Sequence, residues 1–249
     1  MYIIFVTGMA GSGKSLFSKT LSESLDKNGW TTGILNTDAA TINLPYEPVS
    51  DVRNFIDIHA IGEQYGLGSN GTMIFAADLL ASFLPKIQEE LDVLQLDYLI
   101  VDTPGQMELF AYRESGKYLI DNLQGDGKMS IFISDSFMMS TSLNFLSIKV
   151  LALSVMLRLG TYSIHILNKV DMDPERAVRV IEWDKSITSI ESELGDQEHA
   201  ISYMKLYREL RKNGLMKDLL PVSALTGEGL NSVTALIADQ FTSGEEIKQ

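Results

Sequence analysis

The run Gly8-Met9-Ala10-Gly11-Ser12-Gly13-Lys14-Ser15, placed directly after the apolar stretch from Tyr2 to Val6, constrains this chain more than any other feature. It fits the pattern G-x-x-x-x-G-K-[ST], with a strand-like segment in front and an amphipathic segment behind. Its glycines let the backbone N–H groups of Ala10, Gly11, Ser12, Gly13, Lys14, Ser15 and Leu16 turn inward around a di- or triphosphate. Lys14 has the reach to meet the β- and γ-phosphates, and the Ser15 hydroxyl suits Mg²⁺. The helix that follows adds its positive N-terminal end. A chain built this way binds a nucleotide and folds as α/β.

Composition narrows the setting. The chain has 249 residues, 45% of them hydrophobic, enough for a sizeable core. It has no cysteine, which excludes disulfides, thiolate metal sites and cysteine nucleophiles. A formal net charge of −13 and no run of Lys or Arg argue against direct nucleic-acid binding. The N-terminus is strand-like from its second residue and lacks the positive leader of a signal peptide. Of the longest apolar regions, 72–84 is too short to span a bilayer, and 143–159 contains Lys149 and Arg158. No membrane contact and a cytoplasmic location are expected.

Short β-branched runs alternate with longer amphipathic segments along the chain. The predicted strands are Tyr2–Thr7, Thr32–Asn36, Tyr98–Val101, Met129–Ser134, Ser163–Leu167 and a short one near Leu219–Val222. The predicted helices are Lys14–Asn28, Val52–Tyr65, Thr72–Leu94, Met107–Leu123, Thr141–Leu159, a stretch from Pro174 to Asn213, and Gly229–Phe241. Most strands are continuous apolar runs, as expected when helices cover both faces of a parallel sheet. The expected architecture is a three-layer, mostly parallel, doubly wound sheet in one nucleotide-binding domain over 1–249. Two helical insertions, about 39–95 and about 173–217, exceed what the sheet needs. Helix Thr141–Leu159 is so apolar that it reads either as core or as one wall of a protein-binding groove.

Three further motifs follow the phosphate loop in order. Asp102 ends an apolar strand and begins Asp102-Thr103-Pro104-Gly105, a D-x-x-G turn. A carboxylate there is placed for the Mg²⁺ hydration shell, and the Gly105 N–H for the γ-phosphate. Next comes Asn168-Lys169-Val170-Asp171, an N-K-x-D pattern. The Asp171 carboxylate can accept from guanine N1–H and its exocyclic amine, donors that adenine lacks in that arrangement, so GTP is favoured over ATP. Lys169 would lie along the base and ribose, while Asn168 ties this loop to the phosphate loop. Last, Ser223-Ala224-Leu225 offers the Ala224 N–H to guanine O6.

With these motifs in this order the chain resembles a GTPase, and within the SIMIBI class of P-loop GTPases it is similar to the GPN-loop GTPases over essentially its whole length. The residues that carry this are Asn36-Thr37-Asp38, Leu44-Pro45-Tyr46-Glu47-Pro48 with Asp51-Val52-Arg53, Asp102 to Glu108, and Gly68-Ser69-Asn70-Gly71. Ser69 stands where the family's loop has proline, which removes a restraint on φ but keeps the Asn70 amide. The resemblance implies a homodimer in which Asn70 enters the partner's site near the γ-phosphate; read alone, Gly68–Gly71 is also good turn chemistry. It further implies GTP/GDP and Mg²⁺ as ligands, and a protein client, since eukaryotic relatives are associated with RNA polymerase assembly.

Hydrolysis needs a positioned water and compensation of phosphate charge. Asp38 is the first candidate to position that water, Gln106 the second and Glu108 the third; Lys14 and Asn70 supply charge stabilisation. Arg53 reads as an interface or loop-anchoring residue, and His165, within a strand, as a core residue. Two rival readings stay open: a small-molecule kinase using the same loop, and a client-binding assembly chaperone with little intrinsic turnover.

Overall fold

In β1 (Tyr2–Gly8), the residues Ile3, Ile4, Phe5 and Val6 are all fully buried. Ile3 and Phe5 join one core cluster and Ile4 and Val6 the other, because successive side chains leave a strand on opposite faces. A strand buried on both sides belongs at the centre of a sheet, and β1 lies there. The computed structural model describes residues 1–194 and 198–246. The other strands are β2 (Thr32–Asn36), β3 (Ser50–Asp51), β4 (Tyr98–Asp102), β5 (Gly127–Asp135), β6 (Tyr162–Asn168) and β7 (Leu219–Pro221). They form a seven-stranded sheet in the order β3-β2-β4-β1-β5-β6-β7, with every pairing parallel.

Parallel neighbours need long crossovers, and helices supply them on both faces. One face is covered by α1 (Lys14–Lys27) and, counting from the far end, the last helix (Leu230–Glu246), through Phe17, Leu21, Val233 and Ile237. The other is covered by α2 (Ile58–Tyr65), α3 (Ser69–Asp92), α4 (Glu108–Ala111), α5 (Glu114–Asn122), α6 (Ser142–Leu159) and α7 (Pro174–Lys185), then α8 (Ile187–Leu194) and α9 (Glu198–Lys212). The last helix is α10. This is the three-layer α/β arrangement expected from the sequence.

Several element bounds differ from expectation. Strand β3 pairs with β2 through only two polar residues, Ser50 and Asp51, and so carries no apolar signature. The expected helix Val52–Tyr65 is a 3₁₀ turn (Val52–Asn54) followed by α2, because the Asp57 carboxylate caps a fresh start by accepting from the His59 and Ala60 N–H groups. Helix α3 begins at Ser69 rather than Thr72, with Gly68 as its extended N-cap. The expected loop Gly68–Gly71 is therefore the entry turn of a helix. Insertion 39–95 holds β3, the 3₁₀ turn, α2 and α3; insertion 173–217 holds α7, α8 and α9.

Helix α6 is long and apolar enough, by length and composition alone, to cross a bilayer, and half of it is buried in the protein. Phe145, Ile148, Ala152 and Val155 sit in the core. Lys149 is also buried, paired with Asp184 of α7 at 2.8 Å; burial pulls its pKa down and Asp184 opposes this. The opposite side of α6 is not core. Leu143 and Val150 are exposed and, with Leu146, Tyr203 and Leu206, line an apolar groove against α9. The core reading of this helix thus holds for one face, and the other face borders an apolar groove.

Candidate active site at the carboxyl ends of the strands

Sheet register gathers the polar motif residues. Asn36 of β2 pairs with Asp102 of β4 on one side and Asp51 of β3 on the other, and Asp102 is level with Val6 of β1. Across β1, Asp135 of β5 pairs with Asn168 of β6. The phosphate loop leaves β1 between these two groups, at the crevice where open α/β sheets hold ligands.

Two glycines in that loop have no substitute. Gly8 has φ +144°, and a Cβ there would lie 2.2 Å from the Ile133 carbonyl oxygen. Gly13 has φ +93° as the left-handed N-cap of α1, and a Cβ would meet the Asn168 amide nitrogen at 2.6 Å. Lys14 is buried and its ammonium donates to the carbonyls of Gly8 at 3.1 Å, Met9 at 3.0 Å and Gly105 at 3.3 Å. Burial lowers its pKa, with Asp102 and then Asp38 acting the other way. Leu16 packs partly buried against the core behind the loop.

The base side is held by buried hydrogen bonds. Asn168 donates through its amide nitrogen to the Ser12 carbonyl at 2.8 Å and accepts from the Ala224 N–H at 3.0 Å, so it joins the phosphate loop to the last loop. The Ala224 N–H expected for guanine O6 is therefore already engaged by Asn168, and a base contact there has to share it. Ser223 is fully buried and its hydroxyl caps the turn by accepting from the Thr226 N–H, while Leu225 is exposed. Lys169 has φ 62°, the only positive value at a non-glycine residue among those described. Its ammonium donates to the Gly11 carbonyl at 2.6 Å and pairs with Asp135 at 3.0 Å. The Asp171 carboxylate has no hydrogen bond within the described residues.

At the phosphate end, the Asp38 carboxylate accepts from the Gly105 N–H at 3.0 Å and from the Ala40 N–H at 2.9 Å. The second-strand loop thus closes on the D-x-x-G turn. Behind it, Arg53 forks onto Asp51 at 2.6 Å and donates to the Thr41 and Ile42 carbonyls, as expected of a loop anchor. Gln106 and Glu108 are exposed and make no side-chain hydrogen bond in the described residues, as is Asn70 in the first turn of α3. His165 is buried in β6 against the Ser134 hydroxyl at 2.9 Å, and burial holds its pKa well below the usual value.

Asp102 tests whether Mg²⁺ fits. Its carboxyl is buried, one oxygen accepts from the Tyr46 hydroxyl at 2.7 Å, and the other is a buried oxygen with no hydrogen-bond partner among the described residues. Burial raises the Asp102 pKa, while adjacent Ser15, Tyr46 and Lys14 pull it down. A buried carboxylate oxygen next to a serine hydroxyl suits a hard cation that keeps most of its waters and phosphate ligands. No cluster of three acidic or histidine ligands exists among the described residues, as that mode of binding allows. Burial and Asp102 together raise the pKa of Tyr46.

Tyr46 and Asp135 were not singled out as site residues in the sequence. Asp135 had one readable signal: it ends an apolar strand as Asp102 and Asn168 do.

A family model described as a conserved hypothetical ATP binding protein matches residues 6–243. A GPN-loop GTPase of Pyrococcus abyssi is 36% identical over 69% of this chain and 68% of its own length. The chain belongs to the GPN-loop GTPases. Membership makes it a P-loop GTPase that binds and hydrolyses GTP. GPN-loop GTPase 1 of Schizosaccharomyces pombe is 28% identical over 98% of this chain and 70% of its own length. The GPN-loop GTPase 2 homolog of Dictyostelium discoideum is 32% identical over 67% of this chain, a match spanning only 54% of that protein. Among solved structures, an apo GTPase from Pyrococcus abyssi aligns with a TM-score of 0.85 at 29% identity, covering 96% of each chain. The family model's description mentions ATP, whereas these GPN-loop relatives are named GTPases.

Proposed function

We propose that this GPN-loop GTPase is a Mg²⁺-dependent switch, a homodimer acting in the cytoplasm and serving the assembly of a protein complex. The reading takes all 249 residues as one GTPase domain with two helical insertions. The observation that carries it is the hydrogen bond from the Gly105 N–H to the Asp38 carboxylate. It puts the candidate water-positioning group on the candidate γ-phosphate sensor.

In this reading Ser15 and Asp102 would hold Mg²⁺, and the ion would supply charge neutralisation on the nucleotide phosphates. Lys14 exchanges its three carbonyl partners for phosphate oxygens. A γ-phosphate oxygen takes the Gly105 N–H, and the displaced Asp38 carboxylate accepts a hydrogen bond from the attacking water. That orients the water in line with the leaving GDP, and Asp38 acts by positioning rather than by full deprotonation. Gln106 and Glu108 are exposed beside this turn and serve as secondary water ligands. Asp171, an acceptor with no hydrogen-bond partner among the described residues, reads N1–H and the amine of guanine. Exposed Asn70 supports a role in trans, adding a donor to the second protomer's γ-phosphate. The α6–α9 groove supports a client segment of apolar character.

Hydrolysis of GTP and ATP, with Mg²⁺ and with chelator, over a range of protein concentrations tests this. Specific activity should rise with dimer formation, depend on Mg²⁺ and favour GTP. A preference for ATP sinks the guanine reading. Full activity in a verified monomer sinks the role of Asn70 in trans.

A further inference from the structure

Lys169 is held more firmly than a side chain that only lies along a base requires. Its backbone is left-handed, a conformation that an L side chain adopts only at a cost. Its ammonium meets two oxygens from two different elements, the Gly11 carbonyl of the phosphate loop and the Asp135 carboxylate at the end of β5. Asp135 is itself fixed. It is buried, it is level with Asn168 in the sheet, and its other oxygen accepts from the Met138 N–H at 2.9 Å.

A lone lysine reaching one carbonyl swings freely, because its four-carbon stem carries large rotamer entropy. A buried carboxylate anchored by the sheet removes that freedom and fixes where the stem runs.

We propose that Asp135 is a positioning residue for nucleotide binding: it holds the Lys169 ammonium against the Gly11 carbonyl, so that the base loop and the phosphate loop close on the nucleotide as one unit. This rests on the assignment of Lys169 to the base site. Asp135 acts through Lys169 and touches no reacting atom, so its loss weakens GDP and GTP alike. A purely structural role is the alternative, since Asp135 also caps the turn after β5. Asp135→Asn separates the two, because asparagine keeps an acceptor for the Met138 N–H and loses the charge that holds Lys169.

The test is a double-mutant cycle on GDP affinity with D135N, K169M and the pair, using the full chain and a fluorescent GDP. D135N should weaken binding about tenfold, and K169M similarly. Adding D135N to K169M should change affinity by less than about twofold. An undiminished tenfold loss in the K169M background overturns the proposal, because Asp135 then acts independently of Lys169, and wild-type affinity in D135N overturns it in favour of a turn cap, which asparagine retains. Failure of the wild-type chain to bind GDP would instead overturn the nucleotide reading. Should D135N not fold, amine NMR of the wild-type GDP complex decides. A slowly exchanging Lys169 ammonium is expected, and one exchanging as fast as an exposed lysine overturns the proposal.

Discussion

The two ends of this site differ in how their polar groups are partnered. At the base end, Asn168 is fixed by Ser12 and Ala224, and Lys169 by Gly11 and Asp135. Each of these bonds can persist with a nucleotide in place. At the phosphate end, Lys14 is bonded to carbonyls of its own loops and the Gly105 N–H to Asp38. In the proposed mechanism those groups change partners for catalysis. A preorganised base end gives affinity and specificity with little rearrangement, while an end that must rearrange gives a γ-phosphate-dependent switch. On the proposed reading the difference teaches that recognition and switching are built from separate bonds, so substitutions should separate them.

The largest separation comes from Lys14→Ala. Phosphate release at saturating GTP should fall about a thousandfold, in line with the loss of an electrostatic stabiliser in a buried site. A fall of less than tenfold would show that the phosphate end does not work through Lys14. On the base side, Asp171→Asn should cost about a hundredfold in GTP affinity by leaving guanine donors facing an amide, and should admit xanthosine triphosphate. Competition against labelled GDP measures both, and unchanged selectivity would remove Asp171 from the base site. Asp38→Ala should slow hydrolysis roughly thirtyfold through lost water positioning. If GDP affinity drops as much as turnover, the two ends are not separable at this residue.

Asp102 sharpens the comparison through stability. Its folded-state pKa is raised chiefly by burial, so its favourable, protonated contribution is fully present below the unfolded value of about 3.9. That contribution is lost as pH rises through the raised folded value. At neutral pH the buried charge opposes folding. Asp102→Asn should therefore stabilise the chain by about 1–2 kcal/mol at pH 7, and the gain should shrink as pH falls through the raised folded value. Denaturant unfolding at several pH values checks this. A variant no more stable than wild type at pH 7 would mean that Ser15, Tyr46 and Lys14 fully compensate the charge.

How much of this was legible follows from the physics of each element. The central strands were, because Ile3 to Val6 or Leu99 to Val101 must be apolar on both faces. The motif residues at their carboxyl ends were equally plain, since G-x-x-x-x-G-K-S, D-T-P-G and N-K-V-D pair a chemistry with a spacing. Strand β3 was not, because Ser50 and Asp51 are polar and are fixed only by their pairing with β2. Asp135 and Tyr46 were hidden for a related reason. Their partners Lys169 and Asp102 lie 34 and 56 positions away, and only the fold brings them together.

The smallest expected effect concerns Ser69, which on the sequence reading stands where the family's loop is expected to have proline. Ser69 is the first residue of α3, directly after the extended Gly68 N-cap. That first position is where proline fits a helix best, because its N–H is unpaired anyway and its fixed φ is already helical. A proline there therefore preorganises the entry turn that presents Asn70, and serine leaves the same turn in place with more freedom in the unfolded chain. Ser69→Pro should raise stability by about 0.4–1 kcal/mol and change GTP turnover by less than about threefold. Thermal unfolding and phosphate release measure the two. Marked destabilisation would mean that Gly68–Gly71 is not a helix entry, and a tenfold gain in turnover would mean that stiffness of the Asn70 turn, rather than rearrangement at Asp38 and Gly105, limits the phosphate end.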